Sequence, residues 1–310
     1  MSQTAAMSPA GAARPWYVLA ADDIKIAHSV FALPFAVLGA FLARDGGAGW
    51  GRFAGQLALV VLCMVLARTW AMLFNRLVDR RFDAANPRTA RRALASGALS
   101  VPRAWTLALA AAGGFIAASS LFGVLMGNWW PALLSVPVLA WIAFYSLTKR
   151  FTALCHVFLG GALAVSPLAA ALAIEPGAFT GPTGTALLAL AGMVLLWVAG
   201  FDVIYALQDI DFDRSANLRS IPARLGWRGA CWVARGLHVA AAVAVVVAWR
   251  IEPRFGWVFG AGVACVLGTL VLEHVVLAKR GKAGLDMAFF TLNGVVSCVL
   301  GLAGVVDMMV

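Results

Sequence analysis

The sequence predicts an all-α polytopic membrane protein, and three observations carry that reading. The 310 residues are 62% hydrophobic and 12% charged, with a mean hydropathy of +0.88, whereas soluble domains carry about 25% charged residues. The apolar residues fall into nine runs, each near the length of roughly 20 residues that a spanning helix needs. The basic residues collect in alternate loops between those runs, which is the charge asymmetry of a chain threaded through a bilayer.

Residues 1–23, Ala-rich at the start, are expected to form a disordered N-terminal tail ahead of a single transmembrane domain over 24–310. Arg14 and Lys25 before an apolar run imitate a secretory signal. However, Asp22 and Asp23 interrupt the basic region and no small-residue cleavage site follows, so the first run reads as an uncleaved helix. That helix is expected over 26–43, ending at Arg44-Asp45 and Gly46-Gly47. The second, 55–75, leads into a basic stretch broken by Asn86-Pro87. The third and fourth, 104–126 and 129–147, are separated by the bend Asn128 to Pro131. The fifth, 151–173, stops at Glu175-Pro176-Gly177, and the sixth covers 184–207. The seventh, 229–249, ends before Glu252-Pro253, and 255–278 and 287–307 complete the set. Pro and Gly mark these boundaries because neither continues a helix well.

The loops after the second, fourth, sixth and eighth helices, with the N-terminal tail, hold 18 of the 24 Lys and Arg. The opposite loops hold only Arg44, Arg52, Arg250 and Arg254. This split predicts an integral membrane protein of bacterial inner-membrane type with a cytoplasmic N-terminus. It also explains the net charge of +10 without nucleic acid as a partner. Five cysteines lie scattered in apolar stretches with no CxxC pair, so neither a disulfide framework nor a zinc site is expected. His156, His238 and His274 show no pairing in the sequence, and His28 opens the first helix beside Lys25.

Six of the 14 acidic residues concentrate in two stations. The first is Asn75, Asp79 and Asp83, spaced i, i+4, i+8 and so projecting from one helix face. The second is Asp202, Asp209, Asp211 and Asp213, with Tyr205 between; Asp202 and Asp209 share a face, which Asp213 continues if the helix persists. Either cluster alone reads equally well as a salt-bridged, solvated loop. Two clusters closing the second and sixth helices on one membrane face argue for a site. Their 130-residue offset suggests two four-helix halves, with a ninth helix added. Helix C-termini already carry partial negative charge, so carboxylates placed there repel phosphate unless a hard cation intervenes. Magnesium binds few carboxylates together with phosphate oxygens, so two facing stations suit a diphosphate bridged by Mg²⁺.

The stretch Asn75-Arg76-Leu77-Val78-Asp79-Arg80-Arg81-Phe82-Asp83 resembles the NxxxDxxxD motif of UbiA-type intramembrane prenyltransferases, and Asp202 to Asp209 resembles their DxxYAxxD motif. The flanks Asn86-Pro87-Arg88-Thr89-Ala90, Ser96-Gly97, Lys149-Arg150 and Arg219 to Gly226 agree. The resemblance is greatest to the 4-hydroxybenzoate polyprenyltransferase branch. One departure is Arg92-Ala93-Leu94, where that branch has Arg-Pro-Leu, and it bears on the path of this loop.

The resemblance implies nine transmembrane helices around a central cavity open sideways to lipid. It further implies transfer of a polyprenyl group from its diphosphate to an aromatic acceptor such as 4-hydroxybenzoate, with two Mg²⁺ ions bridging the diphosphate. In that reading Asn75, Asp79, Asp83, Asp202, Asp209 and Asp213 hold metal, and Tyr205 shields the allylic cation, with Trp70 and Phe74 as further candidates. Asn75, Arg88, Arg92, Lys149 and Arg150 contact substrate phosphate. Arg68, seven residues before Asn75 on the same stripe, binds the acceptor carboxylate or the diphosphate, since an arginine inside a span is a functional candidate. Other acceptors, such as a naphthoate, homogentisate, a tetrapyrrole or a sugar phosphate, fit the same motifs. A secondary transporter is the non-enzyme alternative, and it requires acids near the bilayer midplane.

Overall fold

The computed structural model describes residues 15–24, 26–44 and 49–310. Eleven helices are labelled here: α1 (Trp16–Ile24), α2 (Leu33–Leu42), α3 (Trp50–Ala85), α4 (Val101–Met126), α5 (Trp130–Thr148), α6 (Cys155–Ile174), α7 (Gly181–Tyr205), α8 (Ile210–Ser215), α9 (Ile221–Ile251), α10 (Trp257–Arg280) and α11 (Asn293–Met309). No strand occurs among the described residues. Among the described residues, eight helical segments are long and apolar enough to cross a membrane. The first expected span is the exception. Its N-terminal third is a 3₁₀ turn, Ile26–Phe31, and only the ten residues of α2 are α-helical. Pro34 sits in the first turn of α2, where its missing N–H costs nothing.

α7 is the axis of the bundle. Its buried residues include Leu187, Leu190, Met193, Val194, Trp197 and Val198, enclosed by α2, α6, α9 and α11. The surrounding helices turn Leu109, Val124, Leu133, Val239 and Leu302 outward, as lipid-facing surfaces do. α6 approaches α7 through Gly160, where an added Cβ would collide with the Leu195 carbonyl oxygen and crowd the Ala199 backbone nitrogen. Small residues at such crossings let helix backbones pack directly in lipid. Gly160→Val is therefore expected to splay α6 from α7 and destabilise the fold by about 1–3 kcal/mol. A thermal scan of the detergent-solubilised variant checks this, and an unchanged melting temperature would contradict the close contact.

Several polar groups inside the bundle pair with one another, as a membrane interior favours. Trp197 Nε1 donates to Asn293 Oδ1 at 2.5 Å, and Asn293 Nδ2 donates to Glu273 Oε1 at 3.2 Å. His238 Nδ1 lies 3.1 Å from His274 Nε2, so these two histidines are partners, contrary to the sequence expectation. They sit on different helices, 36 residues apart, where no local spacing signals the pair.

The tail also departs from expectation. Residues 1–14 lie outside the described residues, but Trp16–Ile24 is helical rather than disordered. Ala20 and Ile24 are buried, and the Asp23 carboxylate accepts the backbone N–H groups of Ala93 (3.2 Å) and Leu94 (3.1 Å). Asp23 thus fixes the loop at the very point where Ala93 departs from the usual proline: a free N–H replaces a residue that has none.

Candidate active site

At 1.5 Å per residue the 36 residues of α3 span about 54 Å, well beyond a hydrocarbon layer of about 30 Å. The helix continues ten residues past the expected boundary at 75, so the whole first station is helical. Asn75, Asp79 and Asp83 then lie along one stripe. Asp79 is met by Lys149 Nζ at 2.8 Å and Arg150 Nη2 at 3.2 Å, both from the end of α5. Asn75 Nδ2 donates to the same carboxylate at 3.3 Å. Asp83 is paired with Arg92 at 2.8 Å. Pro87 ends α3 by forcing Asn86 into extended backbone (φ −91°, ψ 118°). Asn86 Oδ1 accepts the Arg88 N–H at 3.0 Å, which directs the chain across to the second station.

That station begins as helix and then changes character. α7 closes at Tyr205, Ala206–Asp209 forms a 3₁₀ turn, and α8 follows with Asp211 and Asp213. The continuous face assumed for Asp202, Asp209 and Asp213 is therefore broken by the tighter turn. Asp213 instead accepts the Ser220 hydroxyl at 2.7 Å, while still bordering the same cavity.

Asp209 receives Arg88 through both guanidinium arms, Nε at 3.0 Å and Nη2 at 2.6 Å, and Asn86 Nδ2 at 3.1 Å. Arg88 Nη1 donates to the Tyr205 hydroxyl at 3.1 Å. Burial weakens the Arg88 cation, but Asp209 and Tyr205 outweigh it and raise its pKa above the ordinary arginine value. The two stations, 130 residues apart in sequence, thus converge through the Asn86–Arg88 segment at one end of the bundle.

Asp202 is held by a residue that sequence reasoning set aside. His156 Nδ1 lies 2.7 Å from Asp202 Oδ2, and the Ile221 N–H donates to His156 Nε2 at 3.3 Å. Nε2 is thus the acceptor, which leaves Nδ1 to carry the proton given to Asp202.

Two cavities meet here. A polar one of about 300 Å³ is lined by both stations, and an apolar one of about 420 Å³ lies deeper in the bundle. Arg68, Tyr145, Leu159 and Leu163 line both. Arg68 therefore stands at the junction, and its buried Nε has no hydrogen-bond partner among the described residues. Trp70 and Phe74 line neither cavity. Trp70 Nε1 donates to the Leu139 carbonyl at 3.0 Å and the two rings pair at 5.1 Å, so both are packing residues on the opposite flank of α3. Phe289 takes the position imagined for them, stacked on Tyr205 with centroids 4.0 Å apart. It lies in a π-helical turn, Met287–Leu292, whose Ala288 carbonyl accepts Asn293 Nδ2 at 2.8 Å. The His28 side chain lies outside the described residues.

The donors facing the polar cavity are carboxylate and amide oxygens, the hard ligands that suit Mg²⁺. Among the described residues no three His, Cys, Asp or Glu side chains converge tightly enough to hold a metal alone. That donor set fits an ion completing its shell with phosphate oxygens and water.

The model of the UbiA prenyltransferase family matches residues 32–295, which include every residue of both stations. The chain belongs to the UbiA prenyltransferase family. A 4-hydroxybenzoate octaprenyltransferase of Citrobacter koseri is 30% identical over 261 residues, spanning 82% of this chain and 86% of the relative. One from Nitrosomonas europaea is 31% identical, spanning 76% and 77%. Among solved structures, a UbiA homolog from Aeropyrum pernix K1 in its apo form matches with a TM-score of 0.74 and 31% identity, over 92% of this chain and 99% of that one. A UbiA homolog from Archaeoglobus fulgidus bound to DMAPP and Mg²⁺ shares the fold, with a TM-score of 0.70 at 15% identity over 94% and 99%.

Within this prenyltransferase the structure gathers Arg68, Asn75, Asp79, Asp83, Arg88, Arg92, Lys149, Asp202, Tyr205, Asp209 and Asp213 around one cavity, and Arg150 reaches it through Asp79. It adds Asn86, His156 and Phe289. Asn86 had a signal in the Asn-Pro pair. His156 and Phe289 had none, because each is defined by a partner on a distant helix.

Proposed function

We propose that this enzyme transfers a polyprenyl group from polyprenyl diphosphate to 4-hydroxybenzoate or a related aromatic quinone precursor, with Mg²⁺ at the two stations. The observation that carries it is the junction at Arg68: a polar chamber rich in paired acids and bases opens onto an apolar chamber within the bundle. A diphosphate suits the first and an isoprenoid tail the second. A transporter's acids belong near the midplane, whereas these close α3 and α7 at one end, a face read as cytoplasmic from its basic loops.

Bound Mg²⁺, two ions in this reading, would neutralise the departing diphosphate, an effect worth several kcal/mol. Asn75, Asp79, Asp83, Asp202 and Asp209 would hold it, with Asp213 alongside. His156 orients Asp202, and Asn86 orients Asp209. Lys149, Arg150, Arg88 and Arg92, released from their carboxylates, take the phosphate oxygens; arginine offers bidentate contacts for this. Tyr205, backed by Phe289, presents a ring face to the allylic cation and keeps water from it. Arg68 grips the acceptor carboxylate and turns its ring toward the cation. The acceptor ring then forms the new C–C bond and loses a proton.

Purified protein incubated with labelled octaprenyl diphosphate and a panel of aromatic acids is expected to prenylate 4-hydroxybenzoate, with EDTA removing the activity and Mg²⁺ restoring it. Transfer to another ring in the panel with none to 4-hydroxybenzoate would reassign the acceptor. Turnover indifferent to EDTA would remove the metal.

A further inference from the structure

Adjoining the catalytic cavity, at the same end of the bundle, lies a basic recess of about 510 Å³ between the α5–α6 loop and the α8–α9 loop. Arg214, Arg219 and Arg224 line it, and no carboxylate does. Two of the three guanidinium groups are anchored by the backbone: Arg214 Nε donates to the Ala223 carbonyl at 2.9 Å and Arg219 Nη1 to the Phe151 carbonyl at 2.8 Å. Each keeps further N–H groups for a ligand. The Arg224 guanidinium has no hydrogen bond or ion pair among the described residues. Three fixed or poised cations without a counter-ion form an anion site.

The apolar rim identifies the anion's carrier. Phe151 (48% exposed) lines the recess, and Leu154 (56%) and Leu225 (50%), each next in sequence to a lining residue (Ala153 and Arg224), are exposed beside it. Further along α9, Trp232 is 69% exposed with Arg235 stacked over its ring at 4.6 Å, an arrangement typical of the membrane interface. A water-soluble anion gains nothing from such a rim, whereas acyl chains do. Basic pockets between spanning helices are recognised headgroup sites.

We infer that Arg214, Arg219 and Arg224 form a binding site for the phosphate headgroup of an anionic phospholipid, whose chains run over Phe151, Leu154 and Leu225. The site shares Leu218 and Ser220 with the catalytic cavity, and Ser220 is the residue that donates to Asp213. An occupied recess therefore braces the wall of the second station. Gly226 completes the device: its φ of 66° and ψ of −177° kink α9 six residues after Ser220, in a conformation glycine tolerates.

Native mass spectrometry of the full chain, titrated with phosphatidylglycerol, phosphatidylcholine or inorganic diphosphate, tests this. The expected result is selective retention of phosphatidylglycerol, weakened several-fold by Arg224→Gln and by about tenfold or more in R214Q/R219Q/R224Q. The control K279Q/R280Q/K282Q, which removes three charges elsewhere, is expected to retain the lipid as the unaltered chain does. Arg224→Gln breaks no intrachain bond, so it reads the site even if the triple variant folds poorly. Equal retention by Arg224→Gln and the unaltered chain would overturn the assignment, as would equal loss in the control. Diphosphate binding that Arg224→Gln weakens, with no lipid preference, would show that the recess serves a free anion and would also overturn it.

Discussion

Asp79→Asn combined with Asp209→Asn is expected to abolish prenyl transfer while the protein still inserts and folds. Each change keeps the side-chain shape and the oxygen acceptor but removes the negative charge. Asp79 has only 4% of its side chain exposed and Asp209 15%, so neither charge is spread into solvent. In the resting protein the loss is tolerable, because Lys149, Arg150 and Arg88 keep an amide oxygen to bond. In turnover, on the proposed function, it is not, since one carboxylate charge is lost from each station at once. Several kcal/mol of leaving-group stabilisation at about 1.4 kcal/mol per decade corresponds to a loss of about 10³-fold or more. Size-exclusion profile and initial rate, measured on one preparation, decide it. Activity within about tenfold of the unaltered enzyme would remove both carboxylates from the reaction.

Arg68→Ala is expected to act differently, through binding. Its guanidinium sits where the polar and apolar cavities join and has an unpartnered Nε. A hydrogen bond to a charged group contributes about 1.5–3 kcal/mol, or roughly 10- to 150-fold in kcat/KM. If Arg68 holds the acceptor carboxylate, the acceptor KM rises and the donor KM does not; if it holds diphosphate, the reverse follows. Unchanged values for both substrates would reject any substrate contact. Since a buried unpaired cation is costly, the variant is expected to be at least as stable as the parent.

These outcomes rest on features of very different legibility. The stations stood out because carboxylates are rare in this chain and because a spacing of four residues places side chains on one helix face whatever the tertiary context. Lys149 and Arg150 were readable as anion contacts, but not as partners of Asp79, because that pairing depends on how α5 crosses α3. Trp70 and Phe74 were misjudged for a related reason. Nearness in sequence to Asn75 says nothing about rotation around the helix, and a shift of one residue turns a side chain through about 100°. His156 carries no local mark at all; only the Asp202 carboxylate opposite gives it a task. The α1 helix escaped notice because an Ala-rich segment has no intrinsic boundary, and its order comes from Asp23 bonding a loop 70 residues away.

The pairing of three of the five cavity acids with Lys or Arg has a thermodynamic corollary. Asp79 with Lys149 and Arg150, Asp83 with Arg92, and Asp209 with Arg88 make a lattice in which each of these three carboxylates is already countered. An incoming divalent ion on its own must evict an ammonium or guanidinium group and leave it stranded; an incoming anion on its own must do the same to a carboxylate. Arriving together, each takes the counter-charge that the other sets free. On the proposed function, loading would be a mutual exchange of ions, in which the metal and the diphosphate each raise the affinity for the other by the same factor.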